Sequence, residues 1–139
     1  MTWLVWSLLS AVFAALTAIL AKKGVAGVDA NLATAVRTTV VVVFAWLLAA
    51  TTAKAPLFQH FTARTWQFLA LSGVATGLSW LCYFHALQVG EASRVAPIDK
   101  LSVVFVILLA AAFLGEKLTW HKGMGVLLIA AGAIVIALD

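Results

Sequence analysis

Five runs of about 20 mostly apolar residues dominate this 139-residue chain, each long enough to cross the hydrocarbon of a bilayer as a helix. They cover residues 3–21, 31–53, 66–89, 92–114 and 120–138, and the breaks "KKGVAGVDA", "KAPLFQHFTAR", "GEAS" and "GEKLT" are rich in charge or turn formers. Backbone inside lipid must satisfy its own polar groups, so the runs predict an all-α integral membrane protein with five transmembrane helices. Residues 1–139 read as a single transmembrane domain, and the tight links force neighbouring helices to run antiparallel. Hydrophobic residues make up 65% of the sequence and charged residues 10%, more oil than a soluble core of this length can hide.

Several function classes fall away. The net charge of +4 is spread thinly over short inter-helix segments, which is the pattern of membrane loops and not of a nucleic-acid surface. The single cysteine, Cys82, lies inside an apolar run and reads as packing. No Lys or Arg precedes the first run and no small-x-small site precedes Lys22, so that run is expected to be a retained helix and not a signal peptide. There is no room for a soluble domain and no HExxH, GxSxG, Walker loop or CxxC, so no enzyme, metal or cofactor is expected.

An odd number of spans puts the two termini on opposite faces, the N-terminal one called A and the C-terminal one B. Face A receives Lys54, Arg64, Lys117 and Lys122, and face B receives Lys22, Lys23 and Arg94. Orientation follows the asymmetry of Lys and Arg, which here is almost nil. Two readings fit: a fixed orientation with a weak signal, or insertion both ways with pairing of inverted copies. Trp3, Trp6, Trp66 and Trp120 all fall at the face A boundary, where amphipathic rings anchor.

Depth along the spans brings polar residues to one level. Counting about 1.5 Å per residue from face B, Arg37 lies about 9 Å down the second span and Asp99 about 10 Å down the fourth. Tyr83 and His85 on the third span are about 6 to 9 Å from the same face, with Thr17 of the first at similar depth. Asp99 has no cation three or four residues away on its own helix, since those positions are Ala96, Val95, Ser102 and Val103. Each ionised side chain deep in a span costs about 3 kcal/mol, so Arg37, Asp99 and Lys100 are expected to face a polar cavity, with Arg37 paired to Asp99. Lys100 is then unpaired, and its excess positive charge favours an anionic or zwitterionic ligand.

Pro97 sits beside this layer. As a mid-helix break it frees the carbonyl of Ser93 and bends the span, as broken helices do beside transport sites. Alternatively the fourth helix begins at Pro97, and Lys100 snorkels to face B. Gly73 and Gly77, in "GVATG", and Gly125 with Gly132 are expected to support close helix packing. Trp80, like Trp46, lies well inside its span and is a candidate for a substrate path, its indole N–H needing a partner. His85 is a candidate proton carrier, against the plainer reading of a bonded interior histidine.

The segment "YFHALQVGEASRVAPIDKLSVVFVILLAAAFLGEKLTWHKGMGVLLIAAGAIVIA", residues 83–137, resembles the EamA family of the drug/metabolite transporter superfamily. The elements carrying it are the exit Tyr83 to Leu87, the Ala-Pro helix Ala92 to Pro97, the turn Leu114 to Leu118, and the last helix from Gly125. Ser102 and Val103 stand where ten-helix members often show Glu-Pro, while "PIDKLS" looks like the version in single-repeat relatives. The resemblance implies a half-size member, one five-helix repeat of a ten-helix inverted-repeat fold. It implies a multi-pass protein of the inner or plasma membrane, working as an antiparallel homodimer or with another half-size subunit. The first span, "WLVWSLLSAVFAALTAILA", lacks the mid-helix carboxylate with which four-helix exporters of the superfamily bind protons and cationic drugs.

The leading expectation is a secondary transporter of a small anionic or zwitterionic metabolite, working by alternating access around Arg37, Asp99 and Lys100. The alternatives are a lipid-carrier flippase subunit and a non-transporting assembly subunit.

Overall fold

A computed structural model describes residues 2–52 and 61–138. Ala53, where the second span was expected to end, and Lys54 lie outside the described residues. Six helices follow in order: α1 (Trp3–Gly24), α2 (Ala30–Thr52), α3 (Ala63–Val89), α4 (Ala92–Asp99), α5 (Ser102–Phe113) and α6 (Trp120–Leu138). No strand occurs among the described residues. With α4 and α5 together forming one apolar stretch, the described residues hold five segments long and apolar enough to span a membrane. It is an all-α integral membrane protein. Large apolar side chains such as Leu8, Val40, Phe105 and Leu127 lie open on the helix surfaces, where acyl chains and not water are their compatible solvent.

Local chemistry sets the helix ends. The Asp29 carboxylate accepts the Leu32 N–H at 2.9 Å and starts α2 at Ala30. Thr62 accepts the Thr65 N–H at 3.2 Å and starts α3 at Ala63, one turn ahead of Trp66. Thr119 does the same for Lys122 at 3.3 Å before α6. Caps of this kind each contribute about 1 kcal/mol. α1 continues to Gly24, which puts Lys22 and Lys23 in its last turn, where cations suit the negative helix end. Gly27, at φ 75°, turns the chain toward α2, and Gly115, at φ 67°, turns it out of α5. Beside Gly115 the Leu114 and Glu116 N–H groups converge on the Ala110 carbonyl at 3.0 and 3.2 Å.

The fourth span is interrupted. Pro97, inside α4, has no N–H to donate to Ser93, yet the break falls later, at Lys100 and Leu101. Around it the backbone tightens toward i→i+3 bonding: the Lys100 N–H is shared between Pro97 O at 3.1 Å and Ala96 O at 3.3 Å, and Leu101 bonds to Ile98 at 3.0 Å, Val103 to Lys100 at 3.0 Å and Val104 to Leu101 at 2.9 Å. This is a 3₁₀-like stretch, of the sort that marks hinges inside longer helices.

Two compact units make up the chain: Met1–Leu20 with Val89–Asp139, and Ala21–Gln88. In the first, α4 and α5 pack along α6, and the buried side chains are the alanines Ala18, Ala110 and Ala133, small enough for helices to approach closely. In the second, Val25, Ala30, Thr34, Phe84 and Leu87 are buried around the α1–α2 loop and the end of α3. The hydroxyls of Thr34, Thr38 and Thr39 donate to carbonyls one turn back, at 2.8, 2.7 and 3.0 Å, which removes the cost of carrying them in an apolar helix.

Candidate functional site

In the second unit the charged centre is Arg37, on the α2 face that also carries Thr34. Opposite it, Trp80 and Phe84 lie four residues apart on α3 and so share a face. The guanidinium carbon stands 4.2 Å from the centre of the Trp80 ring and 5.3 Å from that of Phe84. Phe84 is only 3% exposed and Trp80 is half-buried, so the rings are held from behind. Tyr83, on the same helix, is also half-buried.

Magnitudes show what this arrangement leaves undone. A partly desolvated cation–π contact returns about 1 to 2 kcal/mol, against about 3 kcal/mol for placing an arginine deep in a span. Among the described residues of its unit Arg37 has ring contacts but no hydrogen bond or ion pair, which leaves N–H donors of its guanidinium for a planar acceptor. Those donors match a carboxylate or phosphate. His85, by contrast, is exposed, and its Nδ1 lies 3.1 Å from the Leu81 carbonyl of its own helix.

In the first unit Lys100 Nζ lies 3.3 Å from Asp99 Oδ2, with both side chains partly exposed. This corrects the expectation of an unpaired Lys100. Neighbours on a regular helix diverge by about 100°, but α4 ends at Asp99 and Lys100 lies in the turn, from which its long stem folds back. Two further ion pairs are exposed: Arg94 with Glu91 at 3.7 Å and Lys122 with Glu116 at 3.3 Å. Arg37 belongs to one unit and the Asp99–Lys100 pair to the other, and each is described in its own surroundings.

A Cβ added at Gly73, Gly77, Gly125 or Gly132 would meet nothing within 4 Å. Among the described residues of their own units these glycines stand open, so close helix packing on them is a proposal.

Phe84 is the contact that sequence reasoning missed. Its signal was the four-residue spacing from Trp80, one α3 turn below the level assigned to Arg37. Lys22 was also missed, having been counted only as a loop charge: its Nζ reaches the Leu87 carbonyl at 2.6 Å.

Residues 1–138 match the EamA-like transporter family. The chain belongs to that family. It is 51% identical over 136 residues to an uncharacterized transporter in the cobO 3′ region of a Sinorhizobium species, covering 98% of this chain and 96% of the relative. It is 36% identical over 73 residues to a probable 4-amino-4-deoxy-L-arabinose-phosphoundecaprenol flippase subunit ArnE of an Enterobacter species, covering 52% of this chain and 68% of that one. It is 40% identical over 79 residues to a probable terminal-alkyne amino-acid exporter of Streptantibioticus cattleyicolor, covering 54% of this chain and 26% of that one. No solved structure matches the chain. As an EamA-family chain with five spans it has the extent of one five-helix repeat, consistent with a half-size member, and is a multi-pass protein of the cell membrane.

Proposed function

We propose that this EamA-family chain is a secondary transporter of a small anionic or zwitterionic organic metabolite, working by alternating access with Arg37 as the group that binds the substrate's oxyanion. The observation that carries this reading is the state of Arg37. Its guanidinium lies over Trp80 and Phe84, and its N–H donors have no acceptor among the described residues of their unit. A half-buried fork of donors in an apolar span is a recognition element for carboxylate or phosphate. The ligands in the relatives' names share that chemistry, one an amino acid and the other a phosphate-linked lipid carrier.

In this reading Asp99 and Lys100, at the interruption of the fourth span, balance each other's charge within the first unit. The working unit is an antiparallel homodimer, or a pair with another half-size subunit, supported by the near equality of Lys and Arg on the two faces. A flippase subunit is the second reading, favoured by the match along 68% of the flippase relative.

The test is uptake by purified protein in liposomes, with amino acids, dicarboxylates and phosphorylated sugars supplied across proton and sodium gradients. Saturable uptake of an oxyanion by the wild type, lost in Arg37→Gln without loss of membrane insertion, is the expected result. Equal uptake by the two proteins removes Arg37 from the pathway. Movement of a lipid-linked phosphate in place of any water-soluble solute establishes the second reading.

A further inference from the structure

The rings beneath Arg37 have a chemistry independent of the donors above them. Trp80 and Phe84 converge on one point, 4.2 and 5.3 Å from their centres, and that point is occupied by a positive carbon. Two aromatic faces turned toward a common centre in a water-poor setting attract any cation of suitable size, quaternary ammonium ions above all. Here the cation is tethered: it arrives on α2 and fills the place that a ligand's own cation would take. Phe84, nearly fully buried, cannot turn away, so the cation site is a fixed feature of α3.

We infer that Trp80 and Phe84 form a cation-recognition site which Arg37 fills, and that Arg37 thereby sets the sign of the charge the chain accepts. With the guanidinium in place the rings are covered and its donors take oxyanions. With it removed, the same rings take a quaternary ammonium ion. The inference rests on the reading of Arg37 as the oxyanion-binding group, and it makes Trp80 a positioning residue that holds the guanidinium in register.

The decisive measurement is equilibrium binding of radiolabelled tetramethylammonium to the full chain in lipid nanodiscs, which requires no transport. Wild type is expected to show no saturable binding, and Arg37→Ala to show saturable binding at least about tenfold tighter than Arg37→Ala with Trp80→Leu. Uncharged neopentyl alcohol, of nearly the same shape, should compete weakly. Competition as strong as the cation's would reveal a plain apolar hollow and overturn the inference, as would absent binding by a well-folded Arg37→Ala protein.

Should Arg37→Ala fail to fold, the wild-type background supplies a second arm. Trp80→Leu is expected to raise the KM for oxyanion uptake at least about fivefold with the maximal rate little changed, and Trp80→Phe to restore it, because a phenyl face still seats the guanidinium. Unchanged KM in Trp80→Leu, or failure of Trp80→Phe to restore it, overturns the inference. If wild type transports no oxyanion while Arg37→Ala binds tetramethylammonium, the proposed function fails and the cation site stands.

Discussion

The Lys22 ammonium donates to the carbonyl oxygen of Leu87 at 2.6 Å, and the neighbouring Gln88 amide donates to the carbonyl of Val28 at 2.5 Å. The bonds run in opposite directions, from α1 to the end of α3 and from the end of α3 to the α1–α2 loop. Leu87 is among the last four residues of α3, whose carbonyls lack partners in their own helix, and its side chain is fully buried. A cleft of about 340 Å³ opens between the two bonds, lined by Lys22, the loop from Val25 to Val28, Leu87 and Gln88.

Loss of this clasp is expected to loosen the second unit. A hydrogen bond from a charged group contributes about 1.5 to 3 kcal/mol, so Lys22→Met should lower the unfolding free energy in detergent by about 1 to 2 kcal/mol, and Gln88→Leu by about half as much. The double variant should cost less than the sum, since both bonds hold the same loop. Strict additivity in a denaturant titration would show that the two bonds act separately.

Charge alone is not expected to suffice at position 37. Arg37→Lys keeps a cation but loses the planar fork, so the KM for a carboxylate substrate should rise about tenfold with the protein still inserted. Liposome uptake at graded substrate concentrations reads this directly, and an unchanged KM would mean that a point charge is all the site requires.

At the interrupted fourth span, Asp99→Asn leaves the Lys100 ammonium without its partner. Yield of membrane-inserted protein should fall, and Asp99→Asn with Lys100→Gln should restore yield but not transport, because an uncompensated charge costs more than an absent pair. Inserted protein can be quantified by carbonate-resistant membrane fractionation. A double variant no better than the single one would show that the contact seen at 3.3 Å does not govern insertion.

Pro97→Ala returns an N–H to the turn around Ser93, where a proline inside a helix costs about 3 kcal/mol. Amide exchange from Ile98 to Val103 should slow in nanodiscs, with transport slowing alongside it. Unaltered exchange would mean that the turn at Lys100 and Leu101 is held by packing and not by the proline.

The α5–α6 turn should be sensitive at its glycine and indifferent at its glutamate. Gly115→Ala places a Cβ on a backbone at φ 67° and should cost about 1 to 2 kcal/mol. Glu116→Gln removes only an exposed pair with Lys122 and should change thermal stability by less than about 0.5 kcal/mol. The reverse ranking in a melting experiment would make the ion pair the determinant of the turn.

The spans were readable in the sequence because an apolar run of membrane length has few alternatives, and Arg37 was readable because a guanidinium inside such a run is costly. Its aromatic seat was readable only in part. Trp80 stood out by size, while Phe84 was one of many phenylalanines, and only the depth match between α2 and α3 distinguishes it. The Lys22 bond had no sequence signature, since its acceptor is a backbone carbonyl that any residue would supply. Proline marked the fourth span correctly as unusual but not the position of the turn: a missing N–H acts upstream, on Ser93, whereas the turn lies downstream at Lys100 and Leu101.

That stretch of i→i+3 bonding also stores a rotation. A residue wound in this tighter form advances about 20° further and about 0.5 Å longer than one in an α-helix. Rewinding the two residues between α4 and α5 would therefore swing one half of the fourth span against the other by about 40° and draw them together by about 1 Å. A screw of that size would turn the carboxylate of Asp99, at the end of α4, about the axis of α5.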